Sequence, residues 1–131
     1  MVKFLMLPTL YIAETTEMER GVFTSKAIKK DAEIERSPVI ILNQTERKLV
    51  EKTLLYNYIF EWGPKSLQCC VAFGFVSVYN HSYTSNCEYE MHFSEKTISI
   101  KTIRHIKAGE ELFLNYNGNW NDRKKLWFDA K

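Results

Sequence analysis

The segment YNHSYTSNCEY, residues 79–89, gathers residue types that can do chemistry. It holds one of the chain's 3 histidines and one of its 3 cysteines, and Asn80 lies directly before His81. Three chemistries fit such a set: a metal site, a thiol nucleophile with a histidine base, and a loop that binds a ligand by hydrogen bonds.

A metal site is disfavoured by the spacing of the potential ligands. Structural zinc is bound by residues in short paired spacings such as C-x₂-C, and the sequence has no such pair. Cys87 and His92 lie an odd number of residues apart, so their side chains would point to opposite faces of a strand. We therefore predict no metal site.

A cysteine nucleophile is disfavoured by the surroundings of Cys87. This residue begins an alternating run and falls on its apolar face. A thiol in an apolar setting has a raised pKa and is unreactive, and free cysteines usually pack as small hydrophobic residues.

A frame of short strands is predicted to position these residues. Apolar and polar residues alternate at period two through residues 87–93, which indicates a strand with one buried face. Further strands are predicted over 97–103 and 111–116. The last of these places three residues on one face: Leu112, Leu114 and Tyr116.

One good helix candidate covers residues 44–56, with Asn43 or Thr45 as its cap. Its apolar face would hold Leu49, Val50, Thr53 and Leu54. The apolar segment 66–81 then leads, as a helical turn or a strand, into the Asn-His loop. The periodicity therefore predicts a mostly β protein with one or two short helices.

A weak internal echo joins IKKDAEI (28–34) to IKAGEEL (106–112). Each is a charged turn that feeds a strand beginning with glutamate. We interpret the echo as two similar turns, not as a duplicated domain.

Composition predicts one compact domain over residues 1–131. Lys and Arg exceed Asp and Glu by only 18 to 16, a balance that does not predict nucleic-acid binding. An odd cysteine count, with Cys69 beside Cys70, favours a reducing compartment, and we expect a cytoplasmic protein. No apolar stretch is long enough to predict a membrane helix.

Three motifs occur in order: GVF (21–23), NHSYTSN (80–86) and GEELFLNY (109–116). Together they resemble the SET-domain protein lysine methyltransferases, whose patterns are G-x-G-[VL]-F, N-H-S-x-x-P-N and G-E-E-[LI]-x-x-x-Y. The resemblance covers about residues 10–118 and leaves 119–131 as a C-terminal tail. In size the chain is similar to the minimal viral and bacterial members. Glu19 and Ser85 depart from the pattern, at a glycine and a proline respectively.

The resemblance implies a fold of several small sheets with short helices. In that fold a C-terminal segment is threaded beneath the loop of the Asn-His motif, forming a pseudoknot. It further implies that S-adenosylmethionine donates a methyl group to a lysine of a protein or peptide, without structural zinc. Small members can pair, so a homodimer is one expected state.

Site residues follow from the same resemblance. Tyr116 matches the catalytic tyrosine, and Tyr89 and Tyr58 match residues of the lysine channel. Tyrosine suits such a channel because its ring tolerates a cation and its hydroxyl can hold an amine. A tyrosine at position 89 is typical of members that stop after one methyl group. The expected cofactor-binding residues are Asn80, His81, Arg20, Gly21 and Trp120.

Several alternatives remain open at the sequence level. The chain could be a catalytically inactive SET-like module that binds a lysine-containing peptide. Tyr116 could be a core tyrosine with its hydroxyl bonded to the backbone, Tyr89 a cross-strand packing residue, and Trp120 a packing residue of the tail.

Overall fold

The computed structural model describes residues 2–17 and 19–116. Its regular elements are mostly strands, which confirms the predicted fold class. Neither helix in these ranges is long and apolar enough to cross a membrane. In chain order the elements are β1 (Leu5–Met6), β2 (Leu10–Glu14), β3 (Arg20–Thr24), β4 (Glu33–Leu42), α1 (Gln44–Val50), a 3₁₀ helix (Leu54–Asn57), β5 (Ile59–Trp62), β6 (Gln68–Ala72), β7 (Asn80–His81), β8 (Cys87–His92), β9 (Thr97–Thr102) and β10 (Glu111–Leu114).

The strands form two sheets. The larger sheet has the order β5-β6-β4-β9-β8, with β1 also pairing with β4, and the smaller has the order β2-β3-β10-β7. The pairings are antiparallel except that of β7 with β10, which is parallel. This exception brings the Asn-His motif beside the last strand of the described chain.

The core lies where the two sheets meet, and most of its side chains are aliphatic. In β10 the predicted alternation is confirmed, because Leu112 and Leu114 are both fully buried. In β9 four consecutive residues, Thr97 to Ile100, are buried, so this strand is covered on both faces. The largest aliphatic side chains that are fully buried are Ile34, Ile98, Ile100, Ile106, Leu112 and Leu114.

The two echoing segments pack against each other. Ile28 and Ile106 form an antiparallel bridge, and each backbone N–H donates to the carbonyl of the other at 2.9 and 2.8 Å. Asp31 and Gly109 occupy corresponding positions, and both have positive φ, at 62° and 85°. The segments are thus two similar turns, in agreement with the interpretation from sequence.

The helix predicted over 44–56 is shorter than expected, and the prediction that its apolar residues share one face was wrong. Asn43 caps α1 with a capping box to Glu46, as the sequence indicated. The helix ends at Val50, and Thr53 starts a separate 3₁₀ turn by accepting a hydrogen bond from the N–H of Leu55 at 3.2 Å. This break rotates the next residues off the helix face. Leu49 and Leu54 are 63% and 76% exposed.

The end of the strand predicted over 87–93 also differs. Cys87 is buried, and Tyr89 and Met91 pack against the core as expected. Phe93 was expected on the same buried face but is exposed, because β8 ends at the residue before it. Its ring instead meets Trp62 edge-on, with centroids 5.0 Å apart.

A buried carboxylate lies within the larger sheet. Glu35 on β4 is fully buried and accepts hydrogen bonds from the Ser37 hydroxyl at 2.6 Å and the Tyr79 hydroxyl at 2.8 Å. The N–H of Phe75 donates to the same carboxylate at 2.8 Å. Gly74 turns the chain directly over these atoms, with φ at 66°. The polar groups of this cluster therefore partner one another away from water.

We predict that Gly74→Ala destabilises the fold much more than Gly109→Ala. Both glycines have positive φ, which costs an alanine roughly 1–2 kcal/mol. A Cβ at position 109 meets nothing within 4 Å, whereas one at position 74 overlaps Glu35 Oε2 and Ser37 Oγ. With the added overpacking we expect Gly74→Ala to lower the free energy of unfolding by about 2–5 kcal/mol. Urea unfolding of both variants measures the difference, and equal losses would contradict the close packing around Glu35.

Candidate functional site

The parallel pairing of β7 with β10 builds the centre of the site. Asn80 lies opposite Phe113, and His81 lies opposite Leu114. The N–H of Ser82 donates to the Leu114 carbonyl at 3.0 Å and extends the pairing by one residue. Two motifs that are distant in the sequence therefore meet, and the chain leaves β10 directly beside His81.

The last asparagine of the NHSYTSN motif holds this arrangement in place. Asn86 is 1% exposed. Its Nδ2 donates to the Glu111 carbonyl, and its Oδ1 accepts from the Phe113 N–H, both at 2.8 Å. Ser85, where the family pattern has proline, is also buried. The loop between β7 and β8 is thereby fixed against β10.

One side of the site is a polar cluster of Arg20, Gly21, Asn80 and Glu111, here called the amide cluster. Asn80 Nδ2 donates to the Arg20 carbonyl at 2.9 Å and to Glu111 Oε2 at 2.8 Å. Both amide hydrogens are thus engaged, and the group offers its oxygen as an acceptor. A Cβ at Gly21 would overlap Glu111 Oε2, so the close approach requires glycine at this position.

Glu111 is a member of this cluster that the sequence analysis did not identify as a site residue. Burial raises the pKa of its carboxyl, and the hydrogen bond from Asn80 opposes part of that increase. The signal was present, since Glu111 lies in the GEEL motif at the start of a predicted strand. Its role was missed because a glutamate at a strand end is usually a solvated residue.

The other side of the site is a tyrosine cluster of Tyr58, Tyr89 and Tyr116. The Tyr89 hydroxyl donates to the Tyr116 carbonyl at 3.3 Å. Phe60 lies between them, with its ring edge-on to Tyr89 at 5.5 Å and to Tyr116 at 5.9 Å. The Tyr116 hydroxyl donates to the carbonyl of Tyr79. Phe60 and Tyr79 contact the tyrosine cluster and are thus two residues of the site that the sequence analysis missed.

Two phenols of this cluster, those of Tyr89 and Tyr116, are shielded from water. Burial raises the pKa of Tyr89 to about 12, with smaller contributions from nearby anionic groups. Burial also raises the pKa of Tyr116, and Tyr89 and Tyr58 add to that effect. Tyr58 itself is 37% exposed and lies at the outer side of the cluster. At neutral pH the Tyr89 and Tyr116 hydroxyls are therefore protonated hydrogen-bond donors.

His81 follows Asn80 of the amide cluster in the chain and contacts Tyr116 of the tyrosine cluster. It is 3% exposed, and its Nδ1 accepts a hydrogen bond from the Tyr116 N–H at 3.0 Å. Its ring lies edge-on to Tyr83 at 4.4 Å and tilted against Tyr116 at 5.6 Å. Burial lowers the pKa of His81, which favours the neutral ring that accepts this bond. Through these contacts His81 holds the Asn-His loop against Tyr116.

Two other residues, Arg20 and Trp120, are also expected at the site. Arg20 is exposed and reaches the amide cluster only through its carbonyl oxygen. Trp120 lies outside the described residues, as does most of the segment expected to thread through the loop, so the pseudoknot stays a prediction. Cys87 is fully buried and burial raises its pKa to about 12, in keeping with an unreactive thiol. Within residues 2–17 and 19–116, no three His, Cys, Asp or Glu side chains gather as metal ligands.

Known proteins are similar to this chain in sequence. The model of the SET domain family matches residues 19–117. The histone-lysine N-methyltransferase of Schizosaccharomyces pombe that is specific for H3 lysine-37 is 32% identical over 123 residues, which span 92% of this chain and 77% of that protein.

Solved structures share the fold. A candidate histone methyltransferase of Plasmodium falciparum superposes with a TM-score of 0.66 at 24% identity, over 86% of this chain and 96% of that one. The apo form of a PRC2 complex with a substituted Ezh2 superposes with a TM-score of 0.69 at 20% identity, over 84% of this chain and 15% of that one. Since the family model spans most of the sequence and the yeast relative nearly all of it, the chain belongs to the SET-domain protein lysine methyltransferase family.

Proposed function

We propose that the chain transfers one methyl group from S-adenosylmethionine to a lysine side chain of a protein. The observation that carries this proposal is that residues 79–81 contact both clusters. Asn80 donates to Glu111, while the Tyr79 carbonyl and His81 Nδ1 accept hydrogen bonds from Tyr116. One cluster suits the amino-acid end of the methyl donor, and the other suits a lysine amine.

The amide cluster fits the cationic, donor-bearing end of S-adenosylmethionine. Asn80 presents an acceptor oxygen because both of its amide hydrogens are engaged. Glu111 adds a carboxylate beside it, and Gly21 leaves room for that carboxylate and for the Asn80 amide, which a side chain at this position would overlap. S-adenosylmethionine, when bound, supplies a methyl group carried on a sulfonium sulfur. By the family resemblance, His81 and Trp120 complete the set of residues that would hold it.

The tyrosine cluster suits the reacting lysine. The Tyr116 proton is committed to the Tyr79 carbonyl, so the phenol oxygen can offer its lone pairs to an amine N–H. The surrounding rings of Tyr89 and Phe60 exclude water and tolerate a cationic product. A neutral amine held in line with the methyl group needs little further help, because orientation alone contributes on the order of 7–11 kcal/mol in favourable systems.

A transfer assay tests the proposal directly. The protein is incubated with labelled S-adenosylmethionine and either histones or a lysine-rich protein extract, and label on lysine is measured by mass spectrometry. Histone H3 is the first substrate to try, because the yeast relative is named for it. Cofactor binding with no labelled lysine in any substrate would instead favour an inactive module that binds a lysine-containing peptide. Failure to bind the cofactor would contradict the roles of Asn80 and His81.

The cellular setting is part of the same proposal. Cys69, Cys70 and Cys87 are buried free thiols, which suits a reducing compartment, and we propose the cytoplasm. The partner is a lysine-bearing protein. A homodimer, and the absence of nucleic-acid binding, stay predictions that sedimentation and gel-shift experiments would test.

We predict that Tyr116→Phe lowers the transfer rate while cofactor binding is retained. The variant removes a hydroxyl that holds the amine and leaves the ring packing of Phe60 and His81 in place. We expect a roughly 10- to 100-fold loss, the value of one hydrogen bond to a charged or reacting group. Single-turnover kinetics measure the rate, and calorimetry measures cofactor affinity. Tyr11→Phe is the matched control, because the exposed Tyr11 ring lies on β2, stacks on Phe23 and belongs to neither cluster.

Tyr89→Phe is expected to increase the number of methyl groups added. The Tyr89 hydroxyl lies beside the Tyr116 carbonyl, where it limits the orientations and space open to a methylated amine. Its removal should convert a mono-methylated product into di- and tri-methylated products. Intact-mass analysis of a peptide substrate counts the groups at each time point. An unchanged product distribution would contradict the role of Tyr89 in limiting methylation.

The raised phenol pKa values predict a specific alkaline instability. Tyr89 has a native pKa of about 12 against 10.0 for the free side chain, so the folded state holds its proton more tightly. Its contribution to stability is complete below pH 10 and is lost as the pH rises to about 12, at up to about 1.4 kcal/mol per pH unit. Urea unfolding of wild type and Tyr89→Phe measures this, and the variant should lose less stability across the window. Identical pH dependences would contradict the shielding of Tyr89.

A further inference from the structure

Glu35 is a buried carboxyl group that no part of the proposed reaction uses. It lies on β4 within the larger sheet and is fully buried. Burial raises the pKa of its carboxyl, while hydrogen bonds from Ser37, Tyr79, Phe75 and Val76 act in the opposite direction. Burying a carboxylate costs several kcal/mol even when it is well partnered. Such a group is easier to understand if it orders a segment that needs a fixed conformation.

The donors to Glu35 identify that segment. Three of the four come from residues 75–79, the irregular stretch between β6 and β7: the N–H groups of Phe75 and Val76 and the hydroxyl of Tyr79. Within this stretch the structure has a backbone hydrogen bond from the Val78 N–H to the Phe75 carbonyl at 2.8 Å. The conformation of residues 75–79 therefore depends on Glu35, whose carboxylate accepts hydrogen bonds from this segment.

The same segment supports three parts of the site. The Tyr79 carbonyl accepts the hydroxyl of Tyr116. The Ser77 hydroxyl donates to the Tyr58 carbonyl at 2.9 Å. The segment then continues directly into Asn80 of the amide cluster. A displacement of residues 75–79 would thus move the groups that orient the tyrosine cluster.

We propose that Glu35 is a positioning residue for methyl transfer, which holds the Tyr79 carbonyl against the Tyr116 hydroxyl through the Tyr79 side chain and the 75–76 backbone. This inference rests on the proposed function. Glu35 lies within the core and acts on the reaction through Tyr79 and then Tyr116. Its two carboxylate oxygens accept different hydrogen bonds. Oε1 accepts from the Tyr79 hydroxyl, and Oε2 accepts from the Phe75 N–H and the Ser37 hydroxyl.

Tyr79→Phe and Ser37→Ala form a matched pair that separates positioning from stability. Each removes one hydroxyl donor from the same buried carboxylate. Only Tyr79 belongs to the segment that supports the site, whereas Ser37 lies on β4. We expect Tyr79→Phe to lower kcat at least about fivefold with the KM for peptide nearly unchanged, and Ser37→Ala to keep kcat within about twofold. Urea unfolding establishes that both variants are folded under assay conditions.

A double-mutant cycle tests whether the effect passes through Tyr116. If Tyr79 acts by holding the Tyr116 hydroxyl, then Tyr79→Phe should lower kcat little further in a Tyr116→Phe background. Additive losses in kcat would overturn the proposal, and so would equal losses in Tyr79→Phe and Ser37→Ala. Hydrogen exchange supplies a readout apart from activity: the amides of residues 75–79 should exchange faster in Tyr79→Phe than in Ser37→Ala, and equal rates would also overturn it.

Glu35→Gln provides a second variant of the carboxylate itself. The amide keeps the shape but places an N–H₂ group either against the Phe75 N–H and the Ser37 hydroxyl or against the Tyr79 hydroxyl. At least one of these donors must then lose its acceptor or reverse its hydrogen bond. We expect a kcat loss at least as large as that of Tyr79→Phe, with cofactor affinity changed less than kcat. A wild-type protein that transfers no methyl group would contradict the proposed function. Normal transfer by folded Glu35→Gln and Tyr79→Phe would contradict only the positioning role.

Discussion

The site depends on two residues of parallel pairing between β7 and β10. So short a ladder has little stability of its own, and here it is secured from the side by Asn86, whose amide binds the backbone of β10 on both sides of Leu112. The buried side chains of Leu112 and Leu114 anchor the same strand in the core. With this pairing in place, the Asn-His motif and the last tyrosine of the GEELFLNY motif are neighbours. Without it they belong to unrelated parts of the chain.

Polar groups at the site are arranged so that each one is oriented by another. Hydrogen bonds to Arg20 and Glu111 orient the Asn80 amide. The Tyr116 N–H orients the His81 ring, and the Tyr79 carbonyl orients the Tyr116 hydroxyl. Such orientation is the main contribution that a protein can make to a displacement that needs alignment more than acid or base catalysis. It also explains why so many hydrogen bonds here end on the backbone. A main-chain carbonyl moves less than a side chain does.

The sequence predicted those features that have a local signal. Period-two alternation found β8 and β10, and the capping pattern at Asn43 found the start of α1. The two residues of β7 are too few to show a period, and their partner lies more than 30 residues away, so the parallel pairing could be expected only from the family resemblance. Glu35 gave no signal either, because its donors Phe75 and Tyr79 lie 40 and 44 residues further along the chain. A glutamate in a strand looks like a solvated residue until its partners are known.

The two departures from the family pattern can be judged by the space around them. Glu19 stands where the pattern has its first glycine, but it lies exposed in the connection between β2 and β3. The crowded position is Gly21, where any side chain would overlap the Glu111 carboxylate that holds Asn80, and this glycine is present. Ser85 replaces the loop proline at a buried position, directly before the Asn86 that secures β10. The contacts of Asn86 are made, so the loop keeps its hold on β10 without the rigidity of proline. The close approach at Gly21 and the two hydrogen bonds of Asn86 are therefore both present beside the substituted positions.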